Sequence, residues 1–484
     1  MNARAARART AAAVAVLALL AVAALGVGAP ERAPAATASL RDWSEFGLDP
    51  QRSSASDAPT GISAANVRRL TRRAVPLPGT ADDSALYLHR ASVDGARHDV
   101  AIVTTTYGIT LALDADRGTI LWRFDPPGLS TWAGSAQITT ASPLVHGGYV
   151  YATSPNGLIH KLALASGHEA PGWPVRITPA PKTEKLTASL NIAGGELLAS
   201  TGGYYGDAPP YIGHVVAISL ANGHVDHVFN TLCANRTRIV DPASCSASDS
   251  AILSRGGPVV EPGGTRLLVS TGNAPYNGKD DFGDSVVELT LPGLRLRQVY
   301  TPVDQAHLDT GDLDLGSGSP AILPGGLVLI GGKDALLRVL DLRRLDGRAP
   351  GGRPRTGGER QTLATPGSQM LFSAPAVSHD LVVVADGGGT AAYRAGGGTL
   401  RPIWHNANAG TSPVIAGGLL YVYDFAAGGV RVYEPSSGRE LTVLHTAAGH
   451  WNSPIVADGH VIVPTGDANE HSTSGQLDIF STRG

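Results

Sequence analysis

The stretch TTASPLVHGGYVYATSPNGLIHKLALASG, residues 139–167, contains the features that decide the fold. It starts with Ser-Pro and a short apolar run, turns at Gly-Gly, and continues as an alternating run. A second turn at Asn-Gly leads into another alternating run that ends in Ser-Gly. Alternating runs are typical of strands with one buried face, and the glycine pairs supply the positive φ angles of tight hairpins. The stretch therefore predicts consecutive antiparallel strands.

The same pattern returns along the whole chain. Two further copies are GSGSPAILPGGLVLIGGKDALLRVLDL (316–342) and GTSPVIAGGLLYVYDFAAGGVRVYEPSSG (410–438). Periods of about 40–55 residues built from short strands are typical of β-propellers. The repeat predicts an all-β fold, an eight-bladed β-propeller of four-stranded blades. Its units are expected at 86–124, 139–177, 187–230, 255–302, 316–347, 371–404, 410–444 and 450–482.

The last unit stops one strand short, at GQLDIFST (475–482). A ring of blades has to close, because an open edge strand can pair with other chains. The run LTRRAVPLPG (70–79) is predicted to supply the missing outer strand. Residues 39–85 then form a lead-in that includes this closing strand, and residues 86–484 form the propeller.

Residues 1–38 have the layout of a secretory signal peptide, with arginines before an apolar run and Ala36-Thr37-Ala38 as the cleavage site. The alternative is a permanent membrane anchor. No later stretch approaches ~18 consecutive apolar residues, so no integral span is expected after cleavage. Cleavage removes four Arg and one Glu and changes the net charge from −3 to −6. These features predict a secreted or extracytoplasmic protein and argue against a nucleic-acid partner.

Cys233 and Cys245 are the two cysteines of the chain. In an oxidising compartment they are expected to form a local disulfide, which would contribute about 3 kcal/mol in the chain-entropy model. The chain has no His-Glu-x-x-His zinc motif, no Gly-x-Ser-x-Gly elbow and no phosphate-binding loop.

The segment ALDADRGTILW (112–122) resembles the repeat of the PQQ-like family, also called quinoprotein alcohol dehydrogenase-like. In that repeat Ala-x-Asp, a glycine and a tryptophan close each blade, and Trp122 and Trp404 take the closing position. The resemblance implies the eight-bladed fold of alcohol dehydrogenases that use pyrroloquinoline quinone (PQQ) and Ca²⁺. It also implies kinship with non-catalytic relatives such as the outer-membrane assembly lipoprotein. The vicinal cysteine pair of the dehydrogenases is absent, and no functional residue is carried over from them.

The loops between second and third strands and the connectors between blades emerge on one face of a propeller. Polar side chains there are expected to surround the mouth of the channel, as binding residues on a rigid scaffold often do. Turn-capping is the alternative role of each side chain by itself. The predicted binding face consists of Tyr205, Asp207, Tyr276, Asn277, Asp284, Lys333, Asp334, His450, Asn452, Asn469 and His471.

Two functions follow from these features. The favoured one is an extracytoplasmic binding or scaffolding protein, whose partner is a small molecule or another extracytoplasmic protein. The alternative is a PQQ- and calcium-dependent dehydrogenase of an alcohol or sugar, with Asp312, Asp314 or Asp467 as the base. Carboxylates suit Ca²⁺, and the acidic loop offers Asp280, Asp281 and Asp284 as ligands.

Overall fold

The computed structural model describes residues 42–206, 208–348 and 355–482. The predicted signal peptide and Asp207 lie outside these ranges. The described residues form eight antiparallel four-stranded blades, of which blade 7 gains a fifth, parallel strand from the lead-in. First strands of several neighbouring blades contact each other, including those of blades 8 and 1. This arrangement confirms the predicted eight-bladed β-propeller.

Each blade runs from a first strand at the channel to a fourth strand at the rim. In that order the strands of blades 1 to 4 are Leu86–Val93, Ala96–Thr104, Thr110–Asp114 and Ile120–Phe124; Leu144–His146, Tyr149–Ser154, Leu158–Ala163 and Val175–Arg176; Asn191–Ala193, Glu196–Ser200, His214–Ser219 and Val225–Asn230; Val259–Val260, Arg266–Ser270, Val286–Thr290 and Leu296–Tyr300.

The remaining blades follow the same plan. The strands of blades 5 to 8 are Ala321–Leu323, Leu327–Gly331, Leu336–Asp341 and Gln361–Ala364; Ala376–Ser378, Leu381–Ala385, Thr390–Gly396 and Thr399–Asn406; Val414–Ala416, Leu419–Asp424, Gly429–Tyr433 and Glu440–His445; Ile455–Ala457, His460–Thr465, Gly475–Ser481 and the N-terminal strand Thr71–Leu77.

The closing strand pairs antiparallel with Gly475–Ser481, with Thr71 opposite Ser481 and Leu77 opposite Gly475. Pro76 lies within it, which an outer strand tolerates because one of its edges needs no ladder donor. The pairing confirms that an N-terminal strand closes the ring.

The lead-in before this strand crosses the opposite face of the ring from the loop-rich face. Its short strand Ala55–Ser56 runs parallel to Ile415–Ala416 of blade 7. Its carbonyl groups accept hydrogen bonds from backbone N–H groups of several blades, so it ties the blades together. These bonds are Val145 to Ser44 at 2.8 Å, Val260 to Pro50 at 2.9 Å, Val377 to Ser53 at 2.8 Å and Ile415 to Ser54 at 2.9 Å.

Tryptophans within fourth strands connect neighbouring blades. Trp122 donates from Nε1 to the Leu164 carbonyl at 2.8 Å, and its ring covers Gly167 in the next blade. Trp404 donates to the Pro435 carbonyl at 2.7 Å and covers Gly438 in the same way. Both glycines have positive φ, so each tryptophan packs on the hairpin turn of the following blade.

Helical segments are short and occupy the lead-in and the loops. None of the helices in the described residues is long and apolar enough to cross a membrane. Cys233 and Cys245 form the predicted disulfide, with their Cα atoms 5.9 Å apart, in the connector between blades 3 and 4. The helices are the α-helix Gln305–Thr310 and the 3₁₀ turns Val67–Arg69, Leu129–Thr131, Pro242–Ser244, Leu315–Ser317 and Ala468–Glu470.

Candidate functional site

A cavity of about 390 Å³ opens on the face of the connectors and of the loops between second and third strands. We call it the channel-mouth cavity. Blades on all sides of the ring contribute to its wall. The lining residues are Asp82, Thr140, Lys185, Thr187, Gly203, Tyr204, Tyr205, Gly206, Leu253, Arg255, Asp312, Asp314, Ser317, Lys333, Phe372, His450, Trp451, Ala468 and Asn469.

Five of these residues occupy one repeated position. Each stands two residues before the serine that leads into the first strand of its blade, as Asp82 does before Ser84. Blades are related by rotation about the channel, so equivalent positions converge at its mouth. Most of this set was not predicted from the sequence, because the candidate residues were chosen for the polarity of their loops. An alignment of the repeats does contain the shared position. The five are Asp82, Thr140, Thr187, Ser317 and Trp451.

Asp82 anchors one side of the cavity. Its buried carboxylate lies 3.2 Å from Arg255 Nη2 and 3.0 Å from His450 Nδ1. The backbone N–H groups of Trp451 and Ala468 also donate to it, both at 3.1 Å. Burial opposes the charge, but Arg255 and His450 outweigh it and hold the pKa of Asp82 below its usual range. The carboxylate therefore stays charged and holds the connector around His450 in place.

A second set of charges is paired across the cavity. Lys333 Nζ lies 2.6 Å from carboxylate oxygens of both Asp312 and Asp314. Burial raises the pKa of Asp314, against the opposing effect of Lys333 and of the Asn273 N–H that donates to it at 2.7 Å. The two carboxylates raise the pKa of Lys333 in spite of its burial, so its ammonium group stays charged. The predicted catalytic carboxylates Asp312 and Asp314 thus share one lysine as their ion-pair partner.

Lys185 and Thr187 differ from these paired groups. Lys185 is only 8% exposed, and no hydrogen bond or ion pair links its Nζ to another of the described residues. The buried Thr187 Oγ1 likewise lacks a hydrogen-bond partner within the described part of the chain. Burial lowers the pKa of Lys185 to about 8, and the nearby Arg255 acts in the same direction. The cavity therefore presents the Lys185 amine to whatever enters it, while the Thr187 hydroxyl is buried within the wall.

Aromatic side chains form another part of the wall. The ring of Trp451 lies 4.8 Å from that of Phe372 and 5.8 Å from that of Phe425, centroid to centroid. Tyr204 donates to the Pro181 carbonyl at 3.0 Å, whereas Tyr205 stands 90% exposed at the cavity. The cavity combines a flat apolar surface with polar groups at fixed positions, as small-molecule sites commonly do.

The structure brings together part of the predicted binding face. Asp467, although outside the lining, lies 3.4 Å from His450 Nδ1. The residues of the predicted set that line the cavity are Tyr205, Asp312, Asp314, Lys333, His450 and Asn469.

Other predicted residues lie elsewhere and have structural partners. Asn452 is fully buried, donates to the Ala81 carbonyl at 2.8 Å and accepts from the His450 N–H at 2.8 Å. Asp334 pairs with Arg338. The described residues of the set that do not line the cavity are Tyr276, Asn277, Asp280, Asp281, Asp284, Asp334, Asn452, Asp467 and His471.

The three carboxylates predicted to hold calcium do not form one site. Asn277 Nδ2 donates to Asp280 at 2.8 Å and to Asp281 at 2.6 Å, so these side chains cap their own loop. Asp284 is fully buried and accepts from the Leu315 N–H at 3.2 Å. Within the described ranges, ligand atoms converge instead in two other groups, Asp82–His450–Asp467 and His89–Asp99–Asp458.

We expect Asp284→Asn to remove a pH dependence of stability. Burial raises the pKa of Asp284 from 3.8 to about 7. Because the folded state binds this proton more tightly, the free energy of unfolding falls as pH rises from about 4 to 7. The free energy of unfolding of the variant should therefore exceed that of the parent by on the order of 2 kcal/mol at pH 8, and the difference should disappear at pH 4. Urea denaturation across this range measures it, with Asp280→Asn as a control, and parallel profiles of parent and variant would contradict the prediction.

Asp82, His450 and Asp467 are the group of ligand atoms beside the cavity. They offer three ligand atoms within 4.8 Å of one another. Both oxygens of Asp82, however, already accept two bonds each, and one of them faces the Arg255 guanidinium. A divalent ion would have to displace these donors and approach a positive charge. The arrangement as it stands does not fit a resident calcium ion.

Comparisons with known proteins agree with the fold. A family model described as outer membrane protein assembly factor BamB matches residues 55–272. A search of curated proteins found no match. Similar solved structures include the quinohemoprotein alcohol dehydrogenase from Comamonas testosteroni, with a TM-score of 0.67 at 14% identity over 92% of this chain and 81% of that chain.

Two further structures are similar to the same extent. Quinohemoprotein alcohol dehydrogenase ADHIIG from Pseudomonas putida HK5 has a TM-score of 0.69 at 15% identity, over 92% of this chain and 81% of that chain. A europium-containing methanol dehydrogenase has a TM-score of 0.65 at 13% identity, over 92% of this chain and 98% of that chain. Similarity at such low identity concerns the fold, and function has to be argued from the site.

Proposed function

Because the chain belongs to the family of PQQ-like repeat β-propellers, we propose that it is an extracytoplasmic binding protein that holds a small organic molecule in its channel-mouth cavity. The disulfide between Cys233 and Cys245 supports the location, since such bonds persist in oxidising compartments. The predicted signal peptide points the same way.

One observation carries the proposal: the cavity contains an amine that only a ligand or water can satisfy. Lys185 lines the cavity, and its Nζ has no partner among the described residues. A buried donor left unsatisfied costs about 1–3 kcal/mol, so oxygen atoms of a ligand at this position recover that energy. The rings of Phe372 and Trp451 offer a surface for the apolar part of such a molecule.

A PQQ- and calcium-dependent dehydrogenase is the second candidate function, favoured by the fold of the similar structures. The charges in the cavity weigh against it. Asp82 is paired with Arg255, and Asp312 and Asp314 share Lys333, so each carboxylate that lines the cavity already contacts a cationic side chain, with which Ca²⁺ or a substrate proton would have to compete. This pairing of carboxylates with cationic side chains favours a binding protein over a dehydrogenase.

Isothermal titration of the mature protein with naphthalene-2-carboxylate and with PQQ tests the proposal. We expect at least one of these oxygen-bearing aromatic probes to bind. Leu253→Trp, which fills the cavity wall, should weaken that binding at least tenfold, or about 1.4 kcal/mol. Leu296→Trp places the same side chain on a strand outside the cavity and is the control.

The same experiment separates the two functions. Binding of PQQ that needs Ca²⁺ and is followed by dye-linked alcohol oxidation would support the dehydrogenase. Binding without oxidation supports a binding protein. If neither probe binds, or if Leu253→Trp binds as tightly as the parent, the cavity is not the site.

A further inference from the structure

We propose that Lys185 captures a carbonyl compound, an aldehyde or ketone, as a reversible Schiff base inside the channel-mouth cavity. This inference rests on the proposed function, since it names the class of molecule that the cavity holds. It assigns to Lys185 a chemical role beyond that of a hydrogen-bond donor.

The surroundings of Lys185 distinguish it from the other lysines of the chain. The sequence contains five lysines. Lys333, in the same cavity, is held between two carboxylates. Lys161 donates to the Leu220 carbonyl at 2.7 Å and lies over the ring of Tyr149. Lys185 alone of the five is both buried and, among the described residues, without a partner for its Nζ.

Because Lys185 lies in the cavity wall, a ligand can reach its amine, and because the residue is buried, the amine contacts little water. The short strand Glu184–Lys185 pairs with Gly202–Gly203, which fixes the backbone beside the cavity. Glu184 faces away from it and accepts from the Ile212 N–H at 3.0 Å. The pairing of these two short strands therefore holds the backbone that carries Lys185 in place at the cavity wall.

Charge and burial favour the neutral amine, which is the nucleophilic form. The Arg255 guanidinium and burial oppose protonation of Lys185, whereas Asp82 and Asp467 favour it, and the pKa is lowered to about 8. Near pH 7.5 the neutral share is on the order of 100-fold larger than for an ordinary lysine. Desolvated lysines are activated as nucleophiles in this way.

The reaction is balanced without an oxidant or reductant. The lone pair of Nζ forms a bond to the carbonyl carbon while the carbonyl π bond breaks, and one proton passes from the nitrogen to the oxygen to give a carbinolamine. The remaining N–H proton is then lost as the C=N bond forms and the C–O bond breaks, and it leaves with the hydroxyl group as water. Amine and carbonyl compound thus give imine and water, and hydrolysis reverses the step.

Reductive trapping tests the proposal. Mature protein is incubated at pH 8 with benzaldehyde and sodium cyanoborohydride, and the benzylated lysines are located by peptide mass mapping. We expect Lys185 to be labelled at least tenfold faster than Lys333 and faster than the exposed Lys182. Lys185→Arg keeps a positive charge but removes the primary amine, and Lys182→Arg makes the same change at an exposed lysine that does not line the cavity.

The outcomes decide between explanations. Rapid labelling at residue 185 that Lys185→Arg abolishes and Lys182→Arg leaves unchanged supports the proposal. If Lys185→Arg does not fold, the pH dependence of labelling in the parent replaces it, with a midpoint near pH 8 expected for Lys185. Labelling of Lys185 no faster than of Lys182 overturns the proposal. If naphthalene-2-carboxylate still binds in that case, the proposed function survives without the covalent step.

Discussion

Replacing Arg52 by methionine should lower the free energy of unfolding by about 3–5 kcal/mol, the loss expected when one partner of a buried ion pair is removed. Arg52 is 1% exposed and pairs with Glu45 at 2.8 Å. It also donates to the carbonyl groups of Phe46 at 2.7 Å, Leu190 at 2.6 Å and Gly256 at 2.9 Å. One side chain thus joins the lead-in to blades 3 and 4.

The stability lost in Arg52→Met should be smaller at low pH than at high pH. Burial raises the pKa of Glu45 to about 7, although Arg52 opposes the shift. Without Arg52 the buried carboxylate binds its proton more tightly, so the deficit of the variant should be smaller at pH 5 than at pH 8. Guanidinium denaturation at both pH values measures this difference.

Arg68→Met in the same lead-in is the control. Arg68 is exposed and donates a single hydrogen bond to the Leu441 carbonyl at 2.8 Å. Its removal should cost less than about 1 kcal/mol. Equal losses for Arg52→Met and Arg68→Met would show that the lead-in does not hold the blades together through Arg52.

Trp122→Ala should lower the free energy of unfolding by a similar amount, about 3–5 kcal/mol, because a large buried ring is lost and a cavity remains. Trp122 is 8% exposed, so most of its ring is packed between blades 1 and 2. Its Nε1 bond to Leu164 is lost as well. Thermal unfolding followed by circular dichroism measures the change.

Gly167 provides the test of mechanism. A Cβ atom at this position would approach the Trp122 ring to 2.7 Å, and the backbone φ of +71° disfavours other residues. Gly167→Ala should therefore destabilise the parent strongly. In the Trp122→Ala background it should cost only the backbone strain, about 1–2 kcal/mol. Additive losses in the double variant would mean that the ring and the turn are independent.

Some of the site could be predicted from local chemistry. The acidic connector around Asp312 and the connector around His450 stood out as polar segments between strands, and the fold brings both to the cavity. Asp82, Lys185 and Arg255 gave no comparable signal, because each lies in a connector outside the polar segments from which the candidate residues were chosen. Asp82 and Arg255 gain their importance from partners more than 100 positions away, as in the pairs of Asp82 with Arg255 and with His450. Lys185 gains its importance from its place in the cavity wall.

The sequence by itself determined the blade count, the closing strand and the disulfide. These features follow from short-range patterns, since hairpin glycines, alternating runs and repeat spacing act over a few tens of residues. Because the ring has to close, the strand missing from the last blade has to come from the N-terminal segment. Only the tertiary structure decided which charges are paired at the channel mouth and which are not. The eight-fold arrangement brings distant connectors within hydrogen-bond distance, and burial then separates neutralised groups such as Lys333 from Lys185, whose Nζ has no partner among the described residues.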